Sequence, residues 1–337
     1  MNSTLQRGFE SLTGRTAQHI VEMAGGASSR RYYRVADGQS RFVVMQLADE
    51  PVRAAEGTAQ VPAGTFMEMA TLLEDGGVDV PKIHRHDAEA RQLWLEDLGD
   101  ITLLKALQSG GDRVVWYRRA IDALTTFQVA TRSAASSATC RKRRFGRDQI
   151  IWELEHYVEW RIEHQLKRVP SEAWRTAIRS EFDSLADALL SLPQRISHRD
   201  FQSTNLMVTD DRLVLIDFQD AWVAPDVYDL VALLRDSYVA LDTDELSELL
   251  AYYAQGHESQ AQFDEAQFRR GFALQTAQRK LKDAGRFVFF DHNGNSSYLE
   301  FVEPTLAYVH EALTTLPELD RLTQLLADVD PEFQCKR

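Results

Sequence analysis

The sequence predicts an α+β chain in two lobes, a small antiparallel β-rich lobe followed by a larger, mostly helical one. Three observations predict it. The first hundred residues alternate short apolar segments with Gly and Asp-Gly turns. From about Asp100 the apolar residues recur at helical spacing instead. Between two helical stretches stands one hairpin pattern, preceded by a polar run at 197–205. With 337 residues the chain can bury a core in each lobe, and the expected boundary separates 1–97 from 98–337.

The first lobe opens with apolar segments at His19 to Ala24 and Tyr32 to Val35, joined by Gly25-Gly26-Ala27-Ser28-Ser29. Asp37-Gly38 then reads as a hairpin turn into a strand from Arg41 to Leu47. A helix follows, with Phe66, Met69, Ala70 and Leu73 on one face and Gly76-Gly77 as its stop. Leu93-Trp94-Leu95-Glu96-Asp97-Leu98-Gly99-Asp100 reads as the last strand running into a hinge.

In the second lobe, Val114, Tyr117, Ile121 and Leu124 mark one helix. Ile178, Phe182, Leu185 and Leu189 mark another, which Pro193 closes. Between them, Asp148 to Lys167 is rich in aromatic and acidic side chains, among them Trp152, Glu153, His156, Tyr157 and Trp160. That mix suits a sugar site, with rings for stacking and carboxylates for hydroxyls. An amphipathic packing helix accounts for it equally well.

The polar run carries the chemistry. It reads His198-Arg199-Asp200, then Asn205, then a β-rich run ending in Asp217. Phosphoryl transfer from ATP needs these groups in this order. One carboxylate meets the acceptor hydroxyl, and an amide oxygen and a second carboxylate hold Mg²⁺ against the phosphates. Asp200 is the expected catalytic residue, and Asn205 and Asp217 the expected metal ligands. Mg²⁺ keeps phosphate and water for its other positions, so one Asn and one Asp suffice. Leu206 to Val208 and Leu213 to Ile216 form the hairpin that returns Asp217 beside Asn205. His198 and Arg199 are expected to brace the loop. The Gly/Ser turn at Gly25, Gly26, Ser28 and Ser29 could lay backbone N–H groups over ATP phosphates.

Asp217-Phe218-Gln219 stands where a protein kinase has Asp-Phe-Gly, but no Ala-Pro-Glu follows. Instead Pro225-Asp226 reads as a helix start, with Val227, Leu230, Val231 and Leu234 as its apolar stripe. The run Pro225-Asp226-Val227-Tyr228-Asp229-Leu230 resembles the aminoglycoside phosphotransferase family of small-molecule kinases. That resemblance implies a two-lobed, protein-kinase-like fold with ATP between the lobes. It makes Asp229 a buttress of the catalytic loop, and gives adenine to the carbonyl of Glu96 and the N–H of Leu98. Within the family, Gly-Gly-Ala-Ser-Ser-Arg-Arg-Tyr-Tyr-Arg-Val at 25–35 and Gln278-Arg279-Lys280-Leu281-Lys282-Asp283-Ala284-Gly285-Arg286-Phe287 are similar to the bacterial cell-wall amino-sugar kinases. These phosphorylate the anomeric hydroxyl of N-acetylmuramate and N-acetylglucosamine in peptidoglycan recycling. The resemblance spans roughly residues 20 to 310. Trp160 and Arg279 are the expected sugar-reading residues.

One departure stands out. The third strand of a typical kinase carries a Lys for the α- and β-phosphates, but Phe42-Val43-Val44-Met45-Gln46-Leu47 has none. Arg30 and Arg31 are the nearest cations, and alternation sends only one of them toward a cleft. Arg31 is the one carried forward as ATP-binding. Glu68 loses the partner that the Lys would supply.

Composition fits a globular enzyme, with 44% hydrophobic and 26% charged residues. A net charge of −13 argues against a nucleic-acid binder. No apolar run reaches membrane-spanning length, and the N-terminus lacks a signal-peptide core. Cys140 and Cys335 form no disulfide framework or metal cluster. The expectation is a cytoplasmic, monomeric enzyme with ATP, Mg²⁺ and a small sugar as its partners. Two rivals stay open on sequence: an aminoglycoside or choline/homoserine-type kinase, and a catalytically inactive nucleotide-binding module.

Overall fold

The structure is a computed structural model that describes residues 2–23, 31–47, 63–110, 112–210, 212–256 and 263–333. Five strands among them form one antiparallel sheet: β1 (His19–Glu22), β2 (Arg31–Ala36), β3 (Arg41–Gln46), β4 (Ile83–Asp87) and β5 (Gln92–Glu96). Their order is β1-β2-β3-β5-β4. The Asp37-Gly38 turn joins β2 to β3 as expected, with Gly38 at φ 86° and Asp37 accepting from the amides of Gln39 and Ser40.

Each face of the sheet has its own cover. Helix α1 (Asn2–Thr13), which the sequence reading did not anticipate, lies on one face. Its Leu5 and Phe9 join Tyr33, Val35, Val44 and Trp94 in a sealed cluster. Burying each such side chain contributes roughly 1.5–3 kcal/mol. A Cβ on Gly8 would stand 2.2 Å from the Trp94 ring, so the helix seats only because that residue is glycine. Helix α2 (Ala63–Asp75) carries Phe66, Met69, Ala70 and Leu73 into the main core. It stops where the Gly pair requires, with Gly77 at φ 81° and the Val78 amide donating to the Leu73 carbonyl.

The chain then leaves the sheet at residues 97–100. Arg34 on β2 clamps this exit, 2.8 Å from Asp97, 3.0 Å from Asp100 and donating to the Gly99 carbonyl. Beyond it the remainder is mostly helical, with α3 (Leu103–Gln108), α4 (Arg113–Ala130), α5 (Thr139–Lys142), α6 (Arg147–Tyr157) and α7 (Glu172–Leu190). Two short pairs follow: β6 (Gln194–Ser197) with β9 (Trp222–Pro225), and β7 (Leu206–Thr209) with β8 (Arg212–Leu215). Helices α8 (Tyr228–Leu234), α9 (Thr243–Gln255), α10 (Glu265–His292), α11 (Val302–Thr314) and α12 (Asp320–Val329) complete the lobe. The architecture is the two-lobed, kinase-like α+β fold.

Three local readings need correction. The helix expected to start at Pro225-Asp226 begins at Tyr228, because Trp222–Pro225 is taken by pairing with Gln194–Ser197. Pro225 ends that strand, where its missing N–H is tolerated. The helix read from Asp148 to Lys167 is regular only to Tyr157 and continues as a π-helical segment from Val158 to Gln165. The strand β4 was not foreseen; its alternation of Ile83, His84, Arg85 and His86 is too polar to stand out.

Helix α10 is the axis of the second lobe and packs against α6, α7, α8 and α11. It approaches α6 unusually closely at Gly285, where a Cβ would lie 2.8 Å from the His156 carbonyl and the Tyr157 Cα.

Candidate active site

The loop at 198–205 is held from three sides. Pairing of β6 with β9 places Ser197 opposite Trp222. From α8, the buried carboxylate of Asp229 accepts from Ser197 Oγ (2.7 Å), the His198 amide (2.7 Å) and the Arg199 amide (3.0 Å). Burial pushes the Asp229 pKa above its ordinary value, although His198 and these donors oppose the shift. At the far end Ser203 donates its amide and its hydroxyl to Asp236, also buried.

His198 is fully buried. Its Nδ1 accepts from the Asp200 amide at 3.3 Å, which places its proton on Nε2, 3.0 Å from the Ile216 carbonyl. The ring thus ties the catalytic loop to the strand that leads to Asp217. Arg199 holds a left-handed backbone at φ 83° and lays its guanidinium over the Trp222 ring at 4.6 Å. Non-glycine residues adopt that region at a cost, and such strain gathers at functional loops.

The carboxylate of Asp200 keeps 41% of its exposure and stands at the mouth of a cleft. Desolvation pushes its pKa up, but Arg199, Arg279, Lys282 and His198 together outweigh that and hold it below the ordinary value. Arg279, almost fully buried on α10, donates to the Arg199 carbonyl at 3.1 Å and lies 3.4 Å from Asp200 Oδ1. Its guanidinium also sits over the Tyr228 ring at 5.1 Å.

The hairpin of β7 and β8 performs the return that the sequence implied. Leu206 pairs with Leu215, and the Ile216 amide donates to the Asn205 carbonyl at 3.1 Å. Asn205 donates Nδ2 to the Asp200 carbonyl at 2.8 Å, so that amide nitrogen is engaged and Oδ1 is the atom left to accept or ligate. Asp217 also has a left-handed backbone, at φ 64°, and its Oδ1 accepts from Gln219. Asn205 and Asp217 line one wall of a cleft of about 470 Å³ beneath the sheet. Tyr32, Val43 and Leu95 form its roof, and Glu96, Leu98 and Gly99 its back. An apolar slot ending in hard oxygen donors fits a nucleotide with a divalent cation. Among the described residues no group of three or more His, Cys, Asp or Glu is placed to hold a metal ion.

On the other side of Asp200 lies a second, smaller pocket of about 50 Å³, lined by Trp152, Glu153, His156, Arg199, Tyr228, Lys282 and Arg286. Asp200 also lines this pocket, and Asn205, which donates to its carbonyl, lines the larger cleft.

The remaining expected residues divide. Glu96 and Leu98 both line the nucleotide-sized cleft; the Glu96 side chain is held by Arg212 and the Lys82 amide. Gly25, Gly26, Ser28, Ser29 and Arg30 lie outside the described residues. Arg31 does not reach the cleft. It pairs with Glu22 at 2.7 Å on the sheet face opposite Tyr32, because a strand sends neighbours to opposite sides. The third-strand position holds no cation: Met45 is buried and its sulfur accepts from the Tyr32 hydroxyl. Glu68 is exposed and accepts from the Thr139 amide. Trp160 does not line the small pocket. It packs one turn beyond it against His156, His164, Phe289 and His292, while Trp152 and His156 of the same helix face take that place. Sequence reasoning also missed Asp236, Lys282 and Arg286 as site residues. Asp236 had no motif to mark it, whereas the density of cations in Arg279-Lys280-Leu281-Lys282 was a visible signal.

Known proteins resemble this chain in sequence and in fold. The model of the phosphotransferase enzyme family (APH) matches residues 19–269. An N-acetylmuramate/N-acetylglucosamine kinase of Pseudomonas putida is 30% identical over 319 residues, covering 93% of this chain and 89% of the relative. Among solved structures, the choline kinase of Streptococcus pneumoniae superposes with a TM-score of 0.61 at 19% identity, over 92% of this chain and 99% of that one. An amicoumacin kinase solved in complex with AMP-PNP, Ca²⁺ and Ami gives a TM-score of 0.58 at 14% identity, over 94% of each chain.

Proposed function

The chain belongs to the phosphotransferase enzyme family, and from that membership we propose that it transfers the γ-phosphate of ATP to the anomeric hydroxyl of N-acetylmuramate or N-acetylglucosamine. The observation that carries this reading is the hydrogen bond from Asn205 to the Asp200 carbonyl, which sets Asp200 beside a cleft of nucleotide size whose wall carries Asn205 and Asp217. The acceptor identity follows that of the Pseudomonas putida relative, an N-acetylmuramate/N-acetylglucosamine kinase.

In this reading residues 1–97 form the nucleotide lobe and 98–337 the catalytic and acceptor lobe. Glu96 and Leu98 offer backbone groups to adenine. Asn205 Oδ1 and the Asp217 carboxylate would hold Mg²⁺, which would supply neutralisation of the phosphate charge. The amicoumacin kinase structure, with its nucleotide analogue and divalent cation, supports the same use of this fold.

Asp200 receives the hydrogen bond of the acceptor hydroxyl and orients its oxygen toward the γ-phosphate. Its lowered pKa keeps it ionised, so it acts first by orienting the nucleophile and takes the proton late. Arg199 and Arg279 fix its position, and Asp229, His198 and Asp236 fix the loop beneath. Most of the rate would come from positioning and charge neutralisation. A dependence on ATP places the enzyme in the cytoplasm, and we take it as a monomer.

The test is ATP turnover with Mg²⁺ against N-acetylmuramate, N-acetylglucosamine, glucose, choline, homoserine and kanamycin. Turnover confined to the two N-acetylated sugars supports the reading. Turnover with choline or kanamycin alone overturns the sugar assignment, and nucleotide binding without turnover of any acceptor overturns the kinase mechanism.

A further inference from the structure

The small pocket beside Asp200 has two unlike walls. One is aromatic: Trp152 stacks on His156 with ring centroids 5.5 Å apart and planes 25° from parallel. The other is cationic. Lys282 and Arg286 stand one turn apart on α10 and both line the pocket, with Arg199 on the loop side. Arg286 is held against the Phe289 and Phe290 rings, at 5.2 and 5.0 Å, which limits its rotamers. Asp283 is shared between Lys280 and Lys282, at 2.8 Å from each. Glu153 is taken by Gln149 and Gln278. Among the charged side chains lining this pocket, the three cations Arg199, Lys282 and Arg286 outnumber the two carboxylates Asp200 and Glu153 by one, in a chain whose net charge is −13. A cluster of opposite sign to the whole molecule, set at the acceptor side of the catalytic carboxylate, selects the charge of the acceptor.

Building on the amino-sugar kinase reading, we infer that Lys282 and Arg286 seat a carboxylate of the acceptor, so that the site prefers N-acetylmuramate over N-acetylglucosamine. The two sugars differ by the lactyl ether of N-acetylmuramate, which ends in a carboxylate. With the sugar ring on the Trp152–His156 face and its anomeric hydroxyl at Asp200, the opposite wall is the one that meets an acidic substituent. The same wall repels an ammonium-bearing acceptor such as choline or an aminoglycoside.

The experiment is a comparison of kcat/KM for the two sugars in the wild type and in Lys282→Gln, Arg286→Gln and Arg286→Lys, with KM for ATP and the melting curve measured alongside. The wild type is expected to favour N-acetylmuramate. Each Gln variant is expected to lower the N-acetylmuramate to N-acetylglucosamine ratio about tenfold, mainly through KM, and Arg286→Lys to recover much of it. A ratio that stays constant while both sugars slow equally, with a raised KM for ATP, would assign these cations to the nucleotide and overturn the inference. An unchanged wild-type profile in both Gln variants would also overturn it. Wild-type turnover of neither sugar defeats the amino-sugar reading itself, and this inference falls with it.

Discussion

The guanidinium of Arg279 lies 3.4 Å from the carboxylate of Asp200, although 79 residues separate them in sequence. It is a contact by which helix α10 acts on the charge of the loop at 198–205. Removing that cation relieves part of the field that keeps Asp200 ionised. Because Arg279 lowers the Asp200 pKa, its loss must raise it, and activity on the acid side must fail at a higher pH. Arg279→Met is expected to move the acid limb of the pH profile of kcat/KM upward, with about a tenfold loss at neutral pH. A profile of unchanged shape, merely scaled down, would leave Arg279 a structural role only.

Asn205 and Asp217 meet through the β7–β8 hairpin, and both are assigned to the cation. Asp217→Asn and Asn205→Ala are expected to weaken nucleotide binding about tenfold in Mg²⁺, and to leave binding in EDTA nearly unchanged. Calorimetry under the two conditions measures this. An equal loss with and without metal would contradict the ligand role.

Asp229 satisfies three donors at once, two of them buried. Asp229→Ala strands them and is expected to cost about 2–4 kcal/mol of stability, together with nearly all activity. Chemical denaturation reports the first quantity. A loss below about 1 kcal/mol would mean that water replaces the carboxylate and that the loop is less dependent on α8 than its geometry indicates.

Asp226, which lines neither cavity of the site, offers a pH test of stability. Burial raises its pKa to about 6, with Arg195 at 3.9 Å opposing the shift only partly. A carboxyl whose folded pKa lies above its unfolded value favours the native state below the unfolded pKa, and that contribution is lost as pH rises through about 6. Asp226→Asn removes the penalty. It is expected to stabilise the protein by about 1–3 kcal/mol at pH 7.5 and to have little effect below pH 4. Stabilisation that is equal at both pH values would refute the titration argument.

The sequence made the catalytic loop legible because its chemistry demands particular residue types at particular spacings. Asp200, Asn205 and Asp217 are brought together by a hairpin whose period-2 pattern and polar turn were visible. The sheet order was less accessible, since β4 is polar and α1 precedes the first recognisable segment. Asp236, Lys282 and Arg286 reach the site only through tertiary packing, for which local pattern carries no information. Arg31 failed as a cleft residue for a related reason. Alternation showed that only one of two neighbouring arginines could face inward, and the choice between them depends on the strand's phase. Trp160 was placed on the correct helix face but one turn too far along, where the π-helical segment begins.

The measurement that tests the central claim most directly is phosphorus NMR of the N-acetylmuramate reaction, run with the wild type and with Asp200→Ala. The account predicts an acid-labile sugar 1-phosphate from the wild type. It predicts no product above background from the variant, which should retain its fold and its nucleotide affinity. Phosphate on a hydroxyl other than the anomeric one, or undiminished product from Asp200→Ala, would contradict it.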